Sequence, residues 1–255
     1  MALMRCDFFS DVLGMSTSMT VILPDPTQQP VGAHGTATTD APGVLYLLHG
    51  LSDDDTNWTR STSLERYVAQ LGLAVVMPNA DTSFYSDAVY GRAYWTFLTT
   101  ELPTLVHQFF RVSDRREDTF VAGLSMGGYG AMKWALREPW RFAAAASLSG
   151  AVALSHPSER ADPSFARLMH TVFGDNPTDG TPDDVLHLMR SANAADLPRL
   201  YVACGSEDFL YYANLALIDT AKEAAVELTV DIGPGDHEWA YWDAQIQKVL
   251  SWLQA

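Results

Sequence analysis

Cysteine is scarce in this chain of 255 residues, which contains only Cys6 and Cys204. Two thiols so far apart make no disulfide framework of the kind that stabilises small secreted domains. Cys204 lies inside the apolar run 200–204, a setting that favours a small buried thiol over a reactive one. The sequence therefore argues against a disulfide scaffold protein.

Basic residues are also few. Lys and Arg number 16 against 31 Asp and Glu, which gives a formal net charge of −15. No cluster of Lys or Arg could neutralise a series of phosphates, so we expect no nucleic-acid partner. The negative field also favours neutral over anionic small molecules.

Long apolar segments are missing. No segment approaches the ~20 apolar residues that span a bilayer, and residues 1–11 do not resemble a secretory signal. We therefore predict a cytoplasmic protein with no membrane partner.

There is no G-x-G-x-x-G motif and no P-loop, which predicts that no cofactor binds. The segment 53–55 has three aspartates but no His or Cys at ligand spacing, so we predict a solvated loop and no metal site.

Hydrophobic residues make up 47% of the chain, enough for a full core. From about residue 43, short apolar segments alternate with helical patterns, which predicts an α/β fold with a mostly parallel central sheet and helices on both faces. The exceptions are an antiparallel hairpin near the start and two helical patterns at about 151–195, which predict a small cap insertion in a single domain, 1–255. Strands are predicted at 44–48, 73–77, 119–124, 142–148, 200–204 and 226–232, helices at 63–70, 94–110, 127–136, 213–225 and 238–253, and the hairpin at 8–13 and 16–23.

The segment Gly123-Leu-Ser125-Met-Gly127 matches G-x-S-x-G. Alone the pattern is weak, since about one random chain in ten of this length contains it. Here it follows an apolar strand and begins a helix, which is the strand–turn–helix setting of a nucleophile elbow. Glycines beside the serine permit a strained turn, and the helix N-terminus directs N–H groups toward developing negative charge. Ser125 is the predicted nucleophile.

A serine hydroxyl needs a base to take its proton, and in an elbow enzyme the acid and then the histidine follow the serine along the chain. Three of the seven histidines precede Ser125 and three lie in the insertion. Only His237 lies in a loop between the last strand and the last helix, so it is the predicted base. Asp208, after the strand 200–204, is the preferred acid, with Glu207 and Asp236 as alternatives.

An oxyanion hole requires two backbone N–H donors. Met126, which follows the predicted nucleophile, should supply one of them. The other should come from the loop after an early core strand, where the chain reads His49-Gly50-Leu51, and Leu51 is the predicted donor.

With these residues, nearly the whole chain resembles the esterase D-like family of α/β-hydrolases, in particular the bacterial tributyrin esterases. The segment 123–130, Gly-Leu-Ser-Met-Gly-Gly-Tyr-Gly, is rather specific to that family. The likeness also includes Val-Ile-Leu-Pro at 21–24, Leu-Leu-His-Gly-Leu-Ser-Asp at 47–53, Asn57-Trp58, Met77-Pro78, Leu-Thr-Thr-Glu-Leu-Pro at 98–103, and the segments around Asp208 and His237.

The resemblance implies a carboxylesterase that acts on short acyl chains, acetyl to butyryl, in small-molecule esters of phenols, glycerol or sugars. It is also compatible with a homo-oligomer. Feruloyl esterase activity is an alternative, because the insertion cannot be interpreted for acyl specificity. S-formylglutathione thioesterase is another, although the segment 79–94 looks short for it. A non-catalytic binding protein on the same scaffold is a remote third possibility.

Overall fold

The computed structural model describes residues 1–24, 41–154 and 163–255. Within that part of the chain eight strands form one sheet. The strands are β1 (Ala2–Ser10), β2 (Met15–Leu23), β3 (Gly43–Leu48), β4 (Leu73–Pro78), β5 (Thr119–Leu124), β6 (Ala144–Leu148), β7 (Arg199–Gly205) and β8 (Thr229–Gly233).

The strand order is β1-β2-β4-β3-β5-β6-β7-β8. Strands β3 to β8 are parallel to one another, whereas β2 pairs antiparallel with β4 and β1 antiparallel with β2. The predicted α/β class with a mostly parallel sheet is confirmed. The carboxyl ends of the parallel strands meet at one edge, where ligands bind in open α/β sheets.

The amino-terminal hairpin exists, but the prediction of its first strand at 8–13 is wrong. The strand is β1, and residues 11–14 form the turn, with Gly14 at φ 63°. Leu13, within this turn, is buried in the hydrophobic core, and its N–H donates to Ser10 Oγ at 3.0 Å. Its apolar character therefore reflects the turn and not a continuing strand.

Nine α-helices lie in the described ranges, and each predicted helix is present. They are α1 (Asn57–Ser61), α2 (Leu64–Val68), α3 (Tyr94–Thr96), α4 (Leu102–Phe109), α5 (Met126–Arg137), α6 (Pro163–Phe173), α7 (Val185–Ser191), α8 (Tyr211–Glu223) and α9 (Trp239–Leu253).

The helix predicted at 94–110 contains a π-helical turn, Phe97–Glu101, that joins α3 to α4. Pro103 has no N–H with which to bond the Thr99 carbonyl, so the regular α-helical pattern fails there. Arg141 donates to that carbonyl instead, at 3.2 Å. The predicted start of β6 at 142 and of β8 at 226 is also too early, by two and three residues.

Side chains of the central strands alternate between two hydrophobic layers. In β3, Val44, Tyr46 and Leu48 belong to the same hydrophobic layer as residues of α4, α5 and α8, whereas Leu45 and Leu47 belong to the layer that contains residues of α1, α2 and α9. Helices therefore cover both faces, as predicted. The predicted insertion at 151–195 includes α6 and α7, and α7 packs against α5 and α8. Part of that insertion, residues 155–162, lies outside the described residues.

None of the helices in the described ranges is both long enough and apolar enough to cross a membrane.

Candidate active site

Ser125 occupies the sharp turn between β5 and α5, with φ 53° and ψ −117°. A residue with a side chain seldom adopts these angles, and they match the strained turn of a nucleophile elbow. Two backbone bonds hold the turn: Ser125 N–H donates to the Leu148 carbonyl at 2.9 Å, and the Ser125 carbonyl accepts from Ala151 N–H at 3.1 Å. A β-carbon on Gly127 would overlap the Leu48 carbonyl, so only glycine permits this approach of α5 to β3.

The three predicted side chains meet at the carboxyl edge of the sheet. His237 Nε2 lies 3.1 Å from Ser125 Oγ, and its Nδ1 lies 3.0 and 2.9 Å from the two Asp208 carboxylate oxygens. The Asp208 side chain is fully buried and that of His237 is 15% exposed. A proton on Nδ1 satisfies the carboxylate and leaves the Nε2 lone pair facing the serine hydroxyl.

Neither alternative acid contacts the imidazole in this way. The exposed Glu207 carboxylate accepts from Ser206 Oγ at 2.8 Å and from Gly235 N–H at 2.6 Å. The Asp236 carboxylate accepts from the backbone N–H of His237 at 2.7 Å. Both therefore shape the loops that carry Asp208 and His237.

Asp208 is held as a carboxylate. Burial raises its pKa, but the hydrogen bond and charge of His237, with hydrogen bonds from Ser149 and the Leu210 N–H, outweigh burial and leave the pKa below its ordinary value. Ionised Asp208 can stabilise an imidazolium at His237 without accepting its proton.

Ser149 was missed by the sequence analysis. It lies just after β6 at φ 48°, and its N–H donates to the Ala203 carbonyl at 2.7 Å. Its hydroxyl hydrogen-bonds the Asp208 carboxylate and accepts from Trp242 Nε1 at 3.2 Å. Its position after a core strand, at the edge where Ser125 also lies, was the one available signal.

Two aromatic side chains, also missed, enclose the imidazole. The His237 ring centroid lies 4.4 Å from that of Phe209 and 4.8 Å from that of Trp242, the latter edge to face. Such packing limits ring rotation and keeps Nδ1 and Nε2 aimed at their partners.

The loop with the second predicted oxyanion donor lies beside the serine. A β-carbon built on Gly50 would be 3.7 Å from Ser125 Cβ, which brings Leu51 next to the elbow. Gly50 N–H donates to Asp53 at 3.2 Å, and the same carboxylate accepts from Asn57 at 2.7 Å. Met126, the other predicted donor, is the first residue of α5, where N–H groups have no partner within the helix.

His49 is buried beneath this loop. Burial lowers its pKa, against the opposing effects of its Gly50 hydrogen bond and of three nearby aspartates, and so favours the neutral ring. One nitrogen faces the Gly50 carbonyl at 2.7 Å, and the other accepts from Ala80 N–H at 2.9 Å.

The prediction of a solvated loop at 53–55 is wrong for Asp55, which is 1% exposed. Its carboxylate accepts from Ser18 at 2.7 Å and Thr20 at 2.8 Å, and Arg5 lies 3.6 Å away. The hairpin strands β1 and β2 supply these partners, and no sequence signal links them to residue 55. In the described ranges, no group of three or more His, Cys, Asp or Glu residues is arranged to hold a metal ion.

Known proteins resemble the chain over its full length. The family model described as Putative esterase matches residues 10–253. An acetyl esterase of Caldicellulosiruptor saccharolyticus is 28% identical over an alignment of 270 positions, gaps included, which covers 99% of this chain and 98% of the relative.

Two solved structures from Staphylococcus aureus are each 38% identical. The substrate-bound structure of FphF, a fluorophosphonate-binding serine hydrolase, has a TM-score of 0.89 and covers 100% of this chain and 98% of its own. The match to an S-formylglutathione hydrolase, FrmB, has a TM-score of 0.86 and covers 100% of this chain and 99% of FrmB.

Proposed function

Because this chain belongs to the Putative esterase family of α/β-hydrolases and is a serine esterase, we propose that it hydrolyses short-chain carboxylic esters, acetyl to butyryl. The observation that carries the proposal is the continuous series of hydrogen bonds from Asp208 through His237 to Ser125 Oγ. The 28% identical acetyl esterase supports the short acyl chain. The alcohol groups that we propose for these esters are phenols, glycerol and sugars.

In the first half of the proposed reaction, Ser125 Oγ attacks the ester carbonyl carbon while His237 Nε2 takes the hydroxyl proton. The carbonyl oxygen becomes an oxyanion and accepts from the N–H groups of Leu51 and Met126. The imidazolium then protonates the departing alkoxide, the carbon–oxygen bond of the ester breaks, and an acyl group remains on Ser125.

In the second half, water replaces the alcohol. His237 takes a proton from the water, whose oxygen attacks the acyl carbon, and the same two N–H groups stabilise the second tetrahedral intermediate. Its collapse returns the proton to Ser125 Oγ and releases the acid. Asp208 keeps the imidazole oriented through both halves.

Charge around the site favours neutral esters. Exposed carboxylates of Glu207, Asp236 and Glu238 flank the proposed acid and base along the chain, and Asp53 ends the loop 49–53, the oxyanion loop, which contains Leu51. This local charge adds to the net charge of −15. Glutathione thioesters carry a net negative charge, so the field lowers their local concentration relative to a neutral acetyl ester.

S-formylglutathione hydrolysis is the second candidate, and the 38% identity to FrmB favours it. The triad and oxyanion chemistry would be the same, with a thiolate as the leaving group. Feruloyl ester hydrolysis is a third use of the same residues, and it requires a deep aromatic acyl site.

The first experiment measures kcat/KM for p-nitrophenyl esters from acetate to decanoate, with methyl ferulate and S-formylglutathione, at low and high ionic strength. We expect a maximum at acetate to butyrate that is insensitive to salt. A dominant S-formylglutathione or ferulate activity would overturn the proposal of short-chain ester hydrolysis but not that of the triad.

A second experiment is labelling with a fluorophosphonate. An esterase should be labelled as the wild type and not as Ser125→Ala, whereas a binding protein would show neither labelling nor turnover.

A further inference from the structure

Lys133 is a fully buried cation eight residues after Ser125 on α5. Withdrawing an ammonium group from water costs several kcal/mol unless it is paired and hydrogen-bonded. Burial lowers the pKa of Lys133 to about 8, although the Asp183 carboxylate opposes that shift. Lys133 is not a member of the proposed triad, so the cost of its burial calls for another explanation.

The three N–H donors of the ammonium group match three oxygen acceptors. Nζ lies 2.6 Å from Ser86 Oγ, 3.3 Å from the Phe84 carbonyl and 2.9 Å from Asp183 Oδ1. It also lies 4.8 Å from the centre of the Tyr129 ring, over its face. Two of the three acceptors belong to the connection that follows β4, and they flank one residue.

That residue is Tyr85. Both Phe84 and Tyr85 have positive φ, 49° and 48°, a conformation that costs about 1–3 kcal/mol in a residue with a side chain. The bonds from Lys133 on either side of Tyr85 offset this cost. The ring lies close against α5, where a β-carbon on Gly130 would be only 2.6 Å from Tyr85 Cδ2.

Tyr85 reaches the oxyanion loop. Its buried hydroxyl donates to the His49 carbonyl at 2.9 Å. The same connection holds the His49 ring through Ala80 N–H. Since peptide units are planar, fixing the His49 carbonyl fixes the plane it shares with the Gly50 N–H, and so limits the orientation of the Leu51 peptide next to it.

We propose that Lys133 is a positioning residue for the oxyanion hole: by holding Phe84 and Ser86, it keeps the Tyr85 hydroxyl on the His49 carbonyl and the Leu51 N–H aimed at the reacting oxygen. The inference rests on the proposed function. The oxyanion exists only in the transition state and the tetrahedral intermediates, so a misaimed donor reduces kcat more than it changes KM.

The test compares Lys133→Met with Lys248→Met, a surface lysine paired with Asp231. For Lys133→Met we expect kcat on p-nitrophenyl acetate to fall about 10- to 100-fold, because losing one oxyanion donor outright costs about 10²–10³. KM should change little. Affinity for phenylboronic acid, which forms a tetrahedral adduct on a serine, should fall by the same factor. Lys248→Met should match the wild type in all three.

A purely structural role of Lys133 is tested separately. Lys133→Met leaves Asp183 without its cation, which lowers Tm, and in Lys133→Met/Asp183→Asn the unpaired charge is gone. We expect the double variant to regain Tm but to keep the low kcat and the weak boronate affinity. Tyr85→Phe, which removes only the hydroxyl, should reproduce the loss of kcat. The inference would be overturned if the double variant regained kcat together with Tm, or if Tyr85→Phe kept the boronate affinity of the wild type.

Hydrogen–deuterium exchange separates this inference from the proposed function. If the wild type hydrolyses no ester, the proposed function fails, while the positioning of the loop can still be measured. Amides of 49–53 should exchange faster in Lys133→Met than in the wild type or Lys248→Met. Unchanged exchange there would refute the role of Lys133, whatever the activity.

Discussion

At the scale of single residues, the site depends on buried polar groups with satisfied hydrogen bonds. Asp208 has no exposed side-chain surface, yet it accepts from His237, Ser149 and the Leu210 N–H. Each bond favours the ionised carboxylate and together they outweigh its desolvation. Asp208 therefore couples the proposed chemistry to the stability of the fold.

Asp208→Asn should show that coupling in its pH dependence. The pKa of Asp208 is lower in the folded protein than in the unfolded chain, so its ionisation contributes stability above the unfolded pKa of about 4 and loses it as pH falls through the folded value. In urea unfolding at pH 7, 5, 4 and 3, we expect the stability gap between wild type and variant to be constant down to about pH 5 and to shrink below pH 4. A gap that stays constant down to pH 3 would contradict the lowered pKa.

At the scale of elements, the elbow depends on a close approach of a helix to a strand that only glycine permits. The first turn of α5 approaches the end of β3 so closely that a β-carbon on Gly127 would overlap the Leu48 carbonyl. This approach places the half-buried Ser125 beside Gly50. The glycines in the sequence pattern therefore have a steric cause.

Gly127→Ala should lower the free energy of unfolding by about 1–3 kcal/mol, the usual cost of overpacking, and should reduce ester turnover by shifting the elbow. Gly233→Ala is the matched control, because a β-carbon there meets no atom within 4 Å. Denaturant unfolding should place the control within about 0.5 kcal/mol of the wild type. Equal losses in the two variants would show that the steric argument is wrong.

At the scale of the whole molecule, the amino-terminal hairpin contacts the segment that follows the oxyanion loop. Asp55, five residues after Gly50, accepts from Ser18 and Thr20 of β2 and lies close to Arg5 of β1. A single buried carboxylate thus joins the antiparallel hairpin to the loop that carries a proposed oxyanion donor. Single-domain organisation, assembly into a homo-oligomer and a cytoplasmic location remain predictions.

Asp55→Asn should cost about 1–3 kcal/mol of unfolding free energy, because Ser18 and Thr20 lose a charged acceptor in a buried setting. Asp54→Asn is the control, since the Asp54 side chain is about half exposed, at 49%. Thermal unfolding of the two variants should give a clearly larger fall in Tm for Asp55→Asn. A Tm of Asp55→Asn equal to that of the wild type would mean that the hairpin contributes nothing through residue 55.

The sequence by itself determined the fold class and most of the candidate site. Local patterns are enough for that, because buried parallel strands are continuously apolar and an elbow needs its glycines at fixed spacing. Ser125, His237 and Asp208 were identified by their positions after strands, and their side chains lie within hydrogen-bond distance in the structure. Met126 is the first residue of α5, and Leu51 follows Gly50, which lies beside the serine; their role as oxyanion donors stays a prediction.

Tertiary structure decided what depends on partners distant in the chain. The burial of Asp55 depends on strands about 35 residues earlier, and the selection of Asp208 over Glu207 depends on which carboxylate faces the ring. Lys133 looks in sequence like any polar residue of a helix, and only packing shows it surrounded by Phe84, Ser86 and Asp183. A local pattern reports the face on which a side chain lies, whereas its hydrogen-bond partners and its dielectric surroundings are fixed only when distant segments pack together.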